Sequence, residues 1–174
     1  MNKRDVLLSL LDSGTPTPYI PAAFFLHFDP RYRHGQAAVD KHLEFFKATG
    51  MDFVKIQYEN KFPQRPEIAT PADWEKMPCY GEEFYEDAWT IAEKLVAEAK
   101  KDALVLMTLY SPFMCAGHTA GKARLVEHFR EDPEKTKRGI EIITESLMIF
   151  VKGCIERGID GFYHSTQGGE TERF

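Results

Sequence analysis

The sequence predicts an α/β fold, and three observations carry that prediction. Apolar runs of strand length alternate four times with segments of helical period. The strand runs, of which "ALVLMTLY" at 103–110 is the clearest, are near-continuously apolar, as strands of a parallel sheet covered on both faces are. Glycines and prolines punctuate the borders, at Gly14, Gly50, Pro133 and Gly158. Strand and helix in strict alternation are the mark of parallel strands joined by helical crossovers.

The elements follow in order. Val6, Leu7, Leu10 and Leu11 form a helical stripe that Gly14 ends, and "TPTPY" breaks the chain before a first strand over 20–28, "IPAAFFLHF". "DPRYRHG" is a loop. "QAAVDKHLEFFKATG" is a helix closed by Gly50, with Ala38, His42, Phe45 and Phe46 near one face, and "MDFVKIQYE" is the second strand. A loop with four prolines covers 60–81; its length points to a functional or lid-like role. The next helix, from Glu82, offers Phe84, Trp89, Ile91, Leu95 and Val96 for burial, and the third strand covers 102–112. A short helix is expected within 118–132. A longer one opens at Pro133 and runs through Arg157 to Gly158, and "IDGFYHST" is the fourth strand.

Composition narrows the class. A chain of 174 residues supports one domain with a sizeable core, and 43% hydrophobic with 28% charged residues is ordinary for a globular protein. A net charge of −5 argues against nucleic-acid binding, which needs a basic face, while leaving a small anionic substrate open. No apolar run approaches the ~20 residues of a membrane helix. The start, "MNKRDVLLSLLDSG", carries Asp5 and Asp12 and reads as an amphipathic helix rather than a signal peptide. Cys79, Cys115 and Cys154 are odd in number and widely spaced, which fits reduced thiols and a cytoplasmic location.

Two architectures share this pattern: an open doubly wound sheet and a (β/α)8 barrel. The barrel takes ~250 residues, so four units here would be half of one. In both, ligands sit at the carboxyl ends of the strands. That rule selects His27, Asp29, Arg31, Arg33 and His34 after the first strand; Gln57, Tyr58, Glu59, Asn60 and Lys61 after the second; Tyr110, Ser111, Cys115 and His118 after the third; and His164, Thr166, Gln167 and Glu170 after the fourth. Each also has a plainer reading: His27 as a structural histidine, Glu59 as a solvated loop carboxylate, the arginines as a surface turn, His118 as a helix start. Cys115 and His118 are spaced for a helix face, yet two residues do not make a zinc site. The GxGxxG fingerprint, the Walker loop, HExxH and GxSxG are all absent.

The stretches "NKRDVLLSLLDSG", "IPAAFF", "FFKATGMDFVKI", "LYSPFMCA", "DPEKTKRGIEIITESL" and "GIDGFYHSTQGGE" together resemble the uroporphyrinogen decarboxylase superfamily, across its N-terminal half. The resemblance implies a (β/α)8 TIM-type barrel, with residues 1–174 as the N-terminal half, the first four β/α units and a leading helix. It implies either cofactor-free decarboxylation of tetrapyrrole acetate groups or, as the alternative, zinc- and corrinoid-dependent methyl transfer to a thiol. On the decarboxylase reading Glu59 stands where the family has its catalytic aspartate, and needs no cofactor. Its carboxylate would offset positive charge developing on a protonated pyrrole. His27, Arg31, Arg33, Tyr58, His118, His164 and Gln167 would contact an acidic small-molecule substrate, with the arginines on its carboxylates.

Three positions depart from the decarboxylase pattern: Leu26 for the first arginine of its loop, Glu59 for aspartate, and His118 for a tyrosine. They imply another substrate. The methyltransferases' zinc ligands belong to the family's C-terminal half, and no metal ligand is assigned here. A four-strand half-barrel would expose two sheet edges and an apolar face. The expectation is a homodimer or association with a C-terminal half; an inactive or binding half-barrel is the remaining reading.

Overall fold

The computed structural model describes residues 2–12, 19–58 and 61–166. Its elements are α1 (Lys3–Asp12), a 3-10 turn (Pro30–Tyr32), α2 (Gly35–Thr49), β1 (Phe53–Ile56), a second 3-10 segment (Pro71–Lys76), α3 (Glu82–Ala99), β2 (Leu104–Tyr110), α4 (Pro112–Ala120), α5 (Lys122–Glu131), α6 (Pro133–Glu156) and β3 (Gly161–Ser165). The strands form one sheet in the order β1-β2-β3. β1 and β2 pair in parallel, from Phe53 opposite Leu104 to Ile56 opposite Met107. β3 runs the same way: Asp160 N–H donates to Val105 O at 2.9 Å and Ser111 N–H to Ser165 O at 3.0 Å, so both chains advance together. The α/β class holds, with parallel strands separated by helices.

The sheet has three strands where four are expected. Residues 20–28 join no ladder among the described residues. This segment is pinned near its start by Asp52, whose N–H donates to Ala22 O at 2.8 Å. The Asp52 carboxylate in turn accepts from Ala22 N–H at 2.7 Å and from the Tyr19 hydroxyl. At the other end Phe28 is buried, edge-on to His42 and Phe45. Ile20, Phe24, Phe25 and Leu26 stay exposed. Apolar composition alone does not make a strand; a ladder partner must satisfy its backbone.

Helix borders follow the local chemistry. Gly50 (φ +66°) and Gly158 (φ +82°) take the left-handed conformation after α2 and α6, where a side chain would be strained. α6 stops at Glu156, one residue before the expected end. The short helix expected within 118–132 is α5, and α4 precedes it, opening at Pro112, as a helix outside that expectation. Gly121, at φ +89°, breaks them apart. The proline-rich loop is not structureless: Pro71 opens a 3-10 turn, and Thr70 donates its N–H (2.9 Å) and hydroxyl (2.7 Å) to Asp73 Oδ2. That turn drives Trp74 into full burial.

The chain forms two compact units. The first comprises Met1–Glu59, Glu86–Thr108 and Gly153–Tyr163, with Val54, Ile56, Leu95, Val105 and Met107 in its core. Arg4 grips Asp160 through two 2.8 Å bonds, and Asp160 also accepts from Val105 N–H at 2.9 Å, tying α1 to the strands. The second comprises Asn60–Tyr85, Leu109–Lys152 and His164–Phe174, with Ile68, Trp74, Tyr85, Leu125, Ile143 and Phe150 buried. Two of its internal polar pairs are direct: the Tyr85 hydroxyl lies 2.7 Å from Ser146 Oγ, and Trp74 Nε1–H donates to His128 Nδ1 at 3.0 Å. Among the described residues no helix is long and apolar enough to cross a membrane.

Candidate functional site

Side chains of a strand alternate between the two faces of its sheet, and paired residues of parallel neighbours share a face. Val54 and Ile56 therefore lie with their partners Val105 and Met107, and this face is wholly apolar and buried. Lys55 lies on the other face, with its partner Leu106. There the chemistry changes. Lys55 is only 4% exposed, and its ammonium donates to Gln57 Oε1 and to Thr108 Oγ1, each at 3.0 Å. The Thr108 hydroxyl donates to Ile56 O at 2.6 Å. The rings of Phe25 and Tyr163 each lie 4.5 Å from the ammonium, measured to their centres.

This arrangement explains how a cation is tolerated inside the fold. An ammonium stripped of water is costly unless donors and charge are compensated. A hydrogen bond to a charged group contributes about 1.5–3 kcal/mol, and a cation over an aromatic face about 0.5–2 kcal/mol. Gln57 is itself held by its backbone: its N–H donates to His42 Nε2 at 2.8 Å, and His42 Nδ1 lies 2.7 Å from Ala38 O. That pair of bonds assigns His42 the neutral form with its proton on Nδ1, since Nε2 must accept. The Gln57 carbonyl faces Lys55, and the NH2 of the same amide is buried without an acceptor among the described residues.

The other residues singled out from the sequence fall as follows. In the first unit His27 is exposed, edge-on to Phe25 with ring centres 4.6 Å apart. Arg31 is exposed, 3.5 Å from Asp29 and over the ring of Tyr32. Arg33 donates through Nε to Phe28 O at 2.8 Å. Both arginines thus brace the turn that precedes α2, and His34 pairs with Asp87 at 2.8 Å. Tyr58 is buried at the end of β1. Glu59 and Gln167 lie outside the described residues.

In the second unit His118 sits on α4, edge-on to Tyr110 with ring centres 5.4 Å apart. Burial, reinforced by the charges of Lys61 and Lys122, holds its pKa below the ordinary value. Its Nδ1 is buried with no hydrogen-bond partner among the described residues. α4 is aimed by Ser111, whose hydroxyl caps it by accepting from Met114 N–H at 3.1 Å. His164 is exposed on β3. Burial pushes the thiols of Cys115 and Cys154 up to about 12, so both are inert packing groups at neutral pH. Among the described residues no group of three or more His, Cys, Asp or Glu is placed to hold a metal ion.

Lys55, Thr108, Phe25 and Tyr163 are absent from the sequence-based candidates. A signal for Lys55 is present in "DFVKIQ", where a charge interrupts an apolar strand. Reading the strands as apolar on both faces hides it.

No family model and no curated protein matches the sequence. In structure the chain is similar to a methyltransferase from Methanosarcina mazei, with a TM-score of 0.73 at 13% sequence identity, over 93% of this chain and 58% of that one. At this identity the likeness establishes a shared α/β fold. The chain spans a little over half the length of that protein.

Proposed function

We propose that the chain forms the first part of a (β/α)8 barrel enzyme that transfers methyl groups, with its ligand held on the sheet face that carries Lys55. The observation that carries this reading is the likeness of nearly the whole chain to a methyltransferase fold. Three sequence features agree with it: Leu26, Glu59 and His118 all replace residues of the decarboxylase pattern. The link to the uroporphyrinogen decarboxylase superfamily rests on sequence motifs, and that superfamily includes methyl transfer from a corrinoid to a thiol.

In this reading the methyl-corrinoid is a substrate that supplies an electrophilic methyl group. The work of this chain is to bind and orient. Lys55, Gln57 and Thr108 present donors and acceptors from adjacent strands, a rigid platform of the kind that positions reactants. Separately, in the second unit, burial holds the His118 pKa below its ordinary value, and its Nδ1 is buried with no hydrogen-bond partner among the described residues. The described residues do not fit zinc, and no step is assigned to it. A second copy or a C-terminal half would cover the open sheet.

The test is to incubate the protein with methylcobalamin and a small thiol, and to follow loss of the methyl–cobalt absorbance together with thioether formation. The expected result is transfer, in which the cobalt–carbon bond breaks with its electron pair left on cobalt as cob(I)alamin, and a sulfur–carbon bond forms while the thiol proton leaves to solvent. A parallel arm supplies uroporphyrinogen III. Its conversion to coproporphyrinogen III, without methyl transfer, would replace this reading with the decarboxylase one.

A further inference from the structure

We propose that His128 is an acid-sensitive latch that fastens the middle of the proline-rich loop, residues 68–77, to α5. Loop and latch both belong to the second unit. The device goes beyond the functional reading above and works whatever reaction the protein performs.

Both nitrogens of the His128 ring are in use. Trp74 Nε1–H donates to Nδ1 at 3.0 Å, and Nε2 lies 3.1 Å from Ala69 O. An indole nitrogen only donates and a carbonyl oxygen only accepts. Nδ1 must therefore carry the lone pair and Nε2 the proton, so the ring holds the loop only while it is neutral. A second proton has one place to go, Nδ1, where it would meet the indole N–H. Neither donor would reach water without movement, because Trp74 is fully buried and His128 is 4% exposed. Opening the latch frees Nδ1 for a proton, so opening grows as pH falls.

No carboxylate is in place to stabilise a charged ring. In the loop, the Asp73 carboxylate accepts from Thr70 and Lys76. On α5, Asp132 pairs with Lys135 of α6 at 3.0 Å, and Glu127 and Glu131 are exposed. α6 meets Trp74 through Gly139, and on α4 His118 stands edge-on to Tyr110. Among the described residues the ring bonds only to Trp74 and Ala69. The other ties of the loop do not titrate in this range. Arg65 N–H donates to Thr119 O at 2.9 Å, and Arg124 to Ile68 O at 3.4 Å. Tyr80 N–H donates to Ser146 Oγ at 3.1 Å, and the Ser146 hydroxyl to Tyr80 O at 3.0 Å. Acid thus loosens a middle held between two fixed ends.

Hydrogen exchange of the whole protein, read by segment and corrected for the intrinsic rate, tests this at neutral pH and at about pH 5, the span over which histidine charges. Protection of residues 68–77 is expected to fall about tenfold or more, the loss of one buried pairing, while α3 keeps its protection. No loss in the loop, or an equal loss in α3, overturns the proposal. His128→Gln keeps an acceptor and a donor but gains no charge, and is expected to remove the pH response of the loop. A response that persists in the folded variant also overturns it. If that variant does not fold, nitrogen NMR of the ring in the wild-type protein decides. Expected are an unprotonated Nδ1 and a protonated Nε2 at neutral pH, with protonation of Nδ1 and loss of the Trp74 indole bond over one pH range. A proton on Nδ1 at neutral pH, or a charged ring with the indole bond intact, overturns it.

Discussion

Two residues show how much one atom decides in this fold. Gly139 lies on α6, and a Cβ built there would fall on the ring and Cβ of Trp74, which is fully buried and cannot withdraw. Gly139→Ala should therefore destabilise by about 2 kcal/mol or more through overpacking, a fall in Tm of roughly 4–8 °C, despite alanine's better helix propensity. A thermal melt checks it. His118 supplies a pH signature. Burial, with Lys61 and Lys122, lowers its folded pKa below the ordinary 6.5. Above about pH 6.5 the ring is neutral folded or unfolded, and stability is unaffected. As pH falls below that, the unfolded chain takes up the proton first, and stability drops until the folded pKa is passed. Denaturant unfolding at pH 7.5 and 5.5 should show a loss in the wild-type protein that His118→Phe reduces.

At the scale of elements, capping chemistry sets where helices begin. α4 follows β2 directly because Ser111 caps it and Pro112 supplies a preset φ. Ser111→Ala should cost about 1 kcal/mol, and Ser111→Asp should restore most of it, as read by the denaturation midpoint. These signals are local and legible: the glycine stops at Gly50 and Gly158 and the proline start at Pro133 all mark real borders. α5 falls within the expected stretch 118–132, whereas α4 is not marked in the sequence. Gly121, at φ +89°, separates the two, and a single glycine can be tolerated inside a helix or end one.

At the scale of the whole molecule, the open question of the surface is the apolar segment before α2. Ile20, Phe24 and Leu26 are exposed on a stretch that joins no ladder among the described residues, and unpaired apolar extended chain invites a partner. Light scattering should report a mass above that of one chain. Replacing Phe24 and Leu26 with serine should lower that mass and reduce binding of a hydrophobic dye. A wild-type monomer with no dye binding would count against it.

By itself the sequence determined the alternation of strand and helix, the borders at Gly50, Pro133 and Gly158, and the apolar core of the sheet. These depend on period, caps and turn residues, which act over a few positions. It also names candidate site residues at the strand ends, among them Arg31 and Arg33, whose contacts lie in the turn before α2. The tertiary structure alone decided that residues 20–28 stay out of the sheet and that Lys55 lies between two rings above Thr108. The reason is physical: ladder partners and the neighbours of a buried charge come from positions far apart in the chain. Lys55, Thr108 and Tyr163 meet through the sheet formed by β1, β2 and β3, and Phe25 reaches them from the segment outside it.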